Sequence, residues 1–279
     1  MDDQELKDRL ALLADPDNDV IIPVFATLLE YHTSILPELA KLQDSADPVV
    51  RRRAHQLQSI LTMRERRYNL MRRIDEGMTF PDFMLELHLQ WYDFDMSQEI
   101  SRVWSDFEDE FRKSGATGLT QAAGYMKSIG FCSVPDTAGD VNVYCMGPAL
   151  SALKMAGSLC CGMVRYLLGS SEVAVFRKGR VFGLTDGRVE LYPQDGWKLT
   201  SVEQDKSAVS EFDEQKIMKF SLMMLFTHSV CGDEFRYVYT LGQALTGCRD
   251  DSFLSCLPYP YRHMPDEVYE QQDLNRMDD

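Results

Sequence analysis

Long apolar runs are missing from this chain of 279 residues. Each one is broken by Lys, Arg, Ser or Gly well before the ~20 residues a membrane span needs. An excess of basic charge is missing too. Its 29 Lys and Arg face 44 Asp and Glu, a formal net charge of −15, and that field repels a phosphate backbone. Membrane and nucleic-acid roles therefore drop out of the expectation. Histidine is scarce, with His32, His55, His88, His228 and His263 making up all five. No glycine-rich dinucleotide loop, Walker loop, H-E-x-x-H, C-x-x-C or G-x-S-x-G elbow occurs, so neither a cofactor nor a metal is expected. Asp15, Asp17 and Asp19 do not make a calcium loop, because Val20 and Ala26 stand where an EF-hand needs Gly and Glu. The seven cysteines form no regular framework, and the opening "MDDQELKDRLALLADPD" lacks the basic and apolar regions of a secretory signal. A reduced, cytoplasmic protein with mostly buried thiols is the expectation.

What is present is a globular composition, 44% hydrophobic and 26% charged. Residues 1–114 read as successive helices. Asp15-Pro16-Asp17 and Asp47-Pro48-Val49 each offer an Asp N-cap with Pro at the first helical position. Val20, Val24 and Leu28, then Val50, Ala54 and Leu57, follow at helical intervals. The offset of about 32 residues, with Pro23 and Pro37 between, suggests HEAT-like hairpins. Arg51, Arg52 and Arg53 and the "RERR" from Arg64 to Arg67 read as solvated helix faces. The aromatics of "MTFPDFMLELHLQWYDFDMSQEISRVWSDFEDEFRKSG" are expected in a core, with His88 a packed histidine.

"GATG", Gly115 to Gly118, marks a boundary. A helix ending near Gly130 follows. From Gly147 a long apolar helix is expected to run to Gly169, with Ala152, Met155, Ala156 and Leu159 against a sheet. "EVAVFRKGRVFGLTDGRVELYPQDGWKLT" then alternates in the manner of two or three antiparallel strands, with Thr185-Asp186-Gly187 as a turn. From about Ser210 a helical pair turns at Cys231-Gly232-Asp233, before a Pro- and Tyr-rich tail. The order of elements argues for a predominantly helical α+β chain in three parts, 1–114, 115–209 and 210–279.

This organisation resembles the SirB-like family, labelled regulators of sirC expression, with helical-repeat and tetratricopeptide-like flanks around a transglutaminase-like core. The resemblance rests on "LLADPDNDV", "LTQAAGYMKSIGF", "GPALSAL" with Ser151 on the family's Ser, "GRVFGL" and "LYPQDGWKLT". It implies a Cys–His–Asp site whose positions fall on Ala149, Arg180 and Tyr192. None of these supplies a nucleophile, a base or a fixed carboxylate. The implied chain is a non-catalytic protein that recognises a protein partner, a basic one given its acidity. The competing reading is a hydrolase or acyl transferase with Cys145 as a relocated nucleophile, served by His228 or His263. At the vacant site, Arg180 is expected beside Tyr192, within reach of Glu190 or Asp195.

Overall fold

In the computed structural model the described residues are 3–91, 97–136, 140–169, 173–177, 181–202, 209–232 and 235–248. Among these the protein is mostly helical, with a two-stranded parallel pair and a five-stranded antiparallel sheet, a predominantly helical α+β arrangement. It divides into two compact units, Met1–Asn69 with Thr246–Asp279, and Leu70–Leu245.

The first unit contains α1 (Asp3–Ala11), α2 (Asn18–Leu29), α3 (Leu36–Leu42) and α4 (Pro48–Tyr68). Its core is Leu13, Phe25, Leu28, Leu39, Ala54, Leu57 and their neighbours. The helix starts follow from local chemistry. Asp47 caps α4 by accepting the Val49 N–H at 2.8 Å, with Pro48 at the first position. In α2 the cap is Asp17, not Asp15, because Asp15 is used one step earlier, accepting the Asp17 N–H at 2.8 Å. Arg53 also departs from its expectation as a solvated residue. It is buried, and its Nη1 donates to the Leu13 and Asp15 carbonyls at 2.9 and 2.6 Å. Those carbonyls lie at the end of the 3-10 turn Leu12–Ala14, where no helical N–H remains to satisfy them.

The second unit begins with α5 (Leu70–Asp75), α6 (Phe80–Trp91) and α7 (Ser97–Lys113). Sequence punctuation at Gly115–Gly118 suggested a boundary there, yet these helices share one core with everything that follows. Phe80, Phe83, Trp104 and Phe111 bury against Leu119, Met163, Leu222 and Leu241. Phe111 also stacks edge-on with Tyr125 across the "GATG" turn, ring centroids 5.4 Å apart. Two glycines bend the chain without ending the core.

Next come α8 (Leu119–Ser128), β1 (Cys132–Val134), α9 (Met146–Ser151), β2 (Lys154–Ala156) and α10 (Gly157–Leu168). The single helix expected from Gly147 to Gly169 is therefore two helices with a strand between them. Leu153 adopts φ 49°, a left-handed conformation costly for leucine, which ends α9 and turns the chain into β2. β2 then pairs in parallel with β1, Ser133 opposite Met155. Met155, Ala156 and Leu159 are buried as expected, but Ala152 lies at the exposed end of α9. α10 ends at Gly169, whose φ of 62° suits a residue without Cβ.

The antiparallel sheet comprises β3 (Val173–Arg177), β4 (Val181–Thr185), β5 (Val189–Tyr192), β6 (Lys198–Ser201) and β7 (Val209–Phe212), in the order β6-β5-β4-β3-β7. Asp186 makes the expected turn, accepting the Arg188 and Val189 N–H groups at 2.8 and 2.9 Å. Last are α11 (Glu214–Cys231) and α12 (Phe235–Thr246), whose Ile217, Leu225, Leu241 and Ala244 complete the same core. α11 packs along α10. The cores fall at 10–61 and 70–244, so the chain's compact units do not follow the sequence divisions at 114 and 209.

Replacing Arg53 with Met keeps the bulk but strands the buried Leu13 carbonyl and the half-buried Asp15 carbonyl. The expected cost is about 2 kcal/mol to the first unit, read as faster hydrogen exchange in α2 and α4 with no change in α10. His88 is buried and its pKa lies below the ordinary value because burial disfavours the cation. The unfolded chain therefore binds the proton first. Stability contributed by neutral His88 is complete above about pH 6.5 and is lost as pH falls toward the lower folded value. In His88→Gln, denaturation across pH 5 to 7 should show a shallower slope.

Candidate functional site

The sheet's Tyr192 end meets the start of α10, and the residues there form a buried polar cluster. Asp136 accepts the Ser158 N–H at 3.2 to 3.3 Å and the Ser158 hydroxyl in a short contact. Gln194 Nε2 donates to its other oxygen at 3.3 Å, and the Tyr144 hydroxyl donates to its carbonyl at 2.6 Å. Ser221, from α11, bonds the Ser158 oxygen at 2.8 Å. Gly157 allows Gln194 this position, since a Cβ there would come within 1.9 Å of its Nε2. The first N–H groups of a helix have no partner within the helix, and here a carboxylate meets that of Ser158 in the core. Burial raises the Asp136 pKa, with the Ser158 and Tyr144 hydrogen bonds opposing that rise.

The expected site residues are placed as follows. Ala149 is buried on α9, which packs on α6, α7 and β2. Tyr192 is buried at the end of β5, its ring over Gly183 of β4 and its hydroxyl donating to the Glu190 carboxylate. Arg180 and His263 lie outside the described residues. Ser151 is exposed at the end of α9. The helix that begins beside the Tyr192 turn is α10, so the residues at that helix start are Gly157 and Ser158. Sequence reading passed over Asp136, Ser158 and Gln194. The available signal was one Ser behind a Gly at the head of an otherwise apolar helix.

Cys145 has no exposed surface, and burial, helped by Asp140, pushes its thiol up to about 12. Cys160 and Cys161 are buried with thiols also pushed up, whereas Cys132 and Cys231 are exposed and Cys248 is half-buried. The expectation of mostly buried thiols thus meets two on the surface. Cys256 lies outside the described residues.

A second feature of the same unit is an open cleft between α6 and α7, about 310 Å³ in volume, lined also by Met146 and Tyr166. Trp104 and Tyr166 meet edge-to-face in its wall, ring centroids 5.8 Å apart. The Trp104 indole N–H donates to Glu108 Oε2 at 3.1 Å, while Arg112 reaches Glu108 Oε1 from the rim. Asp82, in the first turn of α6, accepts the Thr79 hydroxyl at 2.6 Å. Burial raises the Tyr166 pKa, and so does Glu108; Arg112 opposes them, and Asp82 and Glu214 add to the rise. Three carboxylates thus act on this hydroxyl against one guanidinium. The core expected for the aromatics between Met78 and Gly115 holds for Phe80, Phe83, Trp104 and Phe111, and Tyr166 of α10 is partly buried beside them.

Comparison with protein-family models, with curated proteins and with solved structures finds no match to this chain. Among the described residues no group of three or more His, Cys, Asp or Glu is arranged to hold a metal ion. No single helix there is long and apolar enough to cross a membrane.

Asp136→Asn keeps an acceptor for Ser158, and a flipped Gln194 amide suits the new N–H₂. It should match or exceed the wild type at pH 7, where Asp136→Ala costs about 2 kcal/mol. A raised folded pKa means the wild type regains stability as pH falls through that value. The gap to Asp136→Asn should therefore close on acidification, as followed by denaturant titration. In a thiol titration of the native protein, Cys132 and Cys231 should react promptly. Cys145, Cys160 and Cys161 should react only after denaturation.

Proposed function

We propose that this chain is a non-catalytic recognition protein for a basic protein partner, built on a degenerate transglutaminase-like core with a HEAT-like helical region before it. The observation that carries this reading is the start of α10. In Cys-dependent acyl transferases a helix N-terminus stabilises a reactive thiolate. At this helix start the residue is Ser158, fully buried, and the anion seat is filled by Asp136 from the same chain. Ala149 offers no nucleophile, and Cys145 is enclosed with a thiol that stays protonated near neutrality. The succession of a buried helix and antiparallel strands supports the transglutaminase-like shape, and paired helices around Leu39 and Leu57 support the HEAT-like one. The net charge of −15 supports a basic partner through steering. A cytoplasmic setting fits the free thiols and belongs to the same proposal.

Amidase, esterase and transglutaminase assays should give no turnover above background, and an electrophilic acyl probe should leave Cys145 unlabelled. Cys145→Ser should cost on the order of 1 kcal/mol and change nothing else. Turnover lost in that variant, together with a stoichiometric adduct on Cys145, would overturn the proposal in favour of the relocated-nucleophile enzyme.

A further inference from the structure

We infer that the cleft between α6 and α7 is a binding site for a cationic side chain, an arginine presented by a protein partner. The inference rests on the recognition reading above and gives it a place on the molecule. A guanidinium needs a flat or apolar wall for its weakly hydrated faces and a carboxylate for its edge. The cleft has both. Leu85, Met146 and the Trp104–Tyr166 pair supply the wall, and Asp82 and Glu108 supply the carboxylates. Its volume of about 310 Å³ lies at the lower end of the range for small-ligand pockets, suited to one long side chain with its adjoining backbone.

The chain itself displays the recognition chemistry. Arg112 places its guanidinium on Glu108 Oε1, one turn along α7, while Trp104 holds Oε2 and so aims the carboxylate. The Arg112 side chain is 69% exposed and that of Glu108 16% exposed. A pair with so exposed a cation is weakly held. An incoming guanidinium that also stacks on the wall competes with Arg112 for the same oxygen. Asp82 and Glu214 keep the surroundings of Tyr166 negative when it does so. Lysine offers a point charge without the planar faces and fits less well.

The test uses the full chain and short capped peptides containing Arg, Lys or Glu at one position, with free spermidine as a second probe. Binding is followed by calorimetry at two salt concentrations. The Arg peptide should bind saturably and more tightly than the Lys peptide, weaken with salt, and leave the Glu peptide without measurable affinity. Glu108→Gln should weaken it about ten-fold, the loss of one charge-assisted hydrogen bond. Arg112→Ala removes the competitor and should tighten it several-fold, a gain that partial unfolding cannot produce. Glu110→Gln, an equal charge change on the outer face of α7, should leave it unchanged. Equal losses in Glu108→Gln and Glu110→Gln, no gain in Arg112→Ala, or tighter binding of spermidine than of the Arg peptide would overturn the inference. A basic partner captured equally by wild type and Glu108→Gln would remove the cleft and spare the recognition reading. Arg-peptide binding at the cleft in a chain with acyl-transfer turnover would do the reverse.

Discussion

The larger unit depends on satisfying one buried helix end. α10 lies at the centre of this unit, packed on α6, α7, α11, β2 and β4, so its first N–H groups open into a dry interior. An unmet N–H in such a place costs as much as several exposed contacts return. Asp136 meets that demand for Ser158. Its carboxylate ties the loop after β1 to α10, Gln194 ties in the turn after β5, and Ser221 ties in α11 through Ser158. Four chain segments distant in sequence thus share one hydrogen-bonded cluster. Tyr144 bonding to the Asp136 carbonyl fixes the loop from its other side.

That same demand bears on chemistry. At this helix start the Ser158 N–H and hydroxyl are both taken up by the chain's own Asp136, in the core of the unit. An open cleft of the unit lies elsewhere, where α7 presents Trp104 and Glu108 along the edge of its buried stripe. Phe111 anchors α7 in the core, Ile100 and Trp104 are buried there and also line the cleft, and Glu108 lines it one turn further on.

Local chemistry was legible residue by residue. Asp47-Pro48 starts α4, Gly130 ends the α8 segment, and Asp186-Gly187 turns between β4 and β5, because each depends on atoms within a few positions. Helical periodicity likewise placed Val24, Leu28, Ala54 and Leu57 inside. The stretch from Gly147 to Gly169 was not legible, since its apolar residues suit a helix and a buried strand equally. Pairing with β1 decides for β2, and that partner lies about 20 residues away. Arg53 shows the same limit: only the approach of the 3-10 turn at Leu12–Ala14 makes a core residue of an arginine in a basic run.

What the sequence determined by itself was the class: a predominantly helical α+β chain, acidic, with no recognisable catalytic or metal motif, because composition, periodicity and turn chemistry are local properties. The tertiary structure alone decided which residues share a core and which share a site. Asp136, Ser158, Gln194 and Ser221 are spread over 85 residues of chain and become one cluster only when α10 is buried. Asp82, Glu108 and Tyr166 make one cleft only because α6, α7 and α10 pack side by side. Long-range burial sets the energetic demand for partners, and no pattern along the chain encodes which distant residue will meet it.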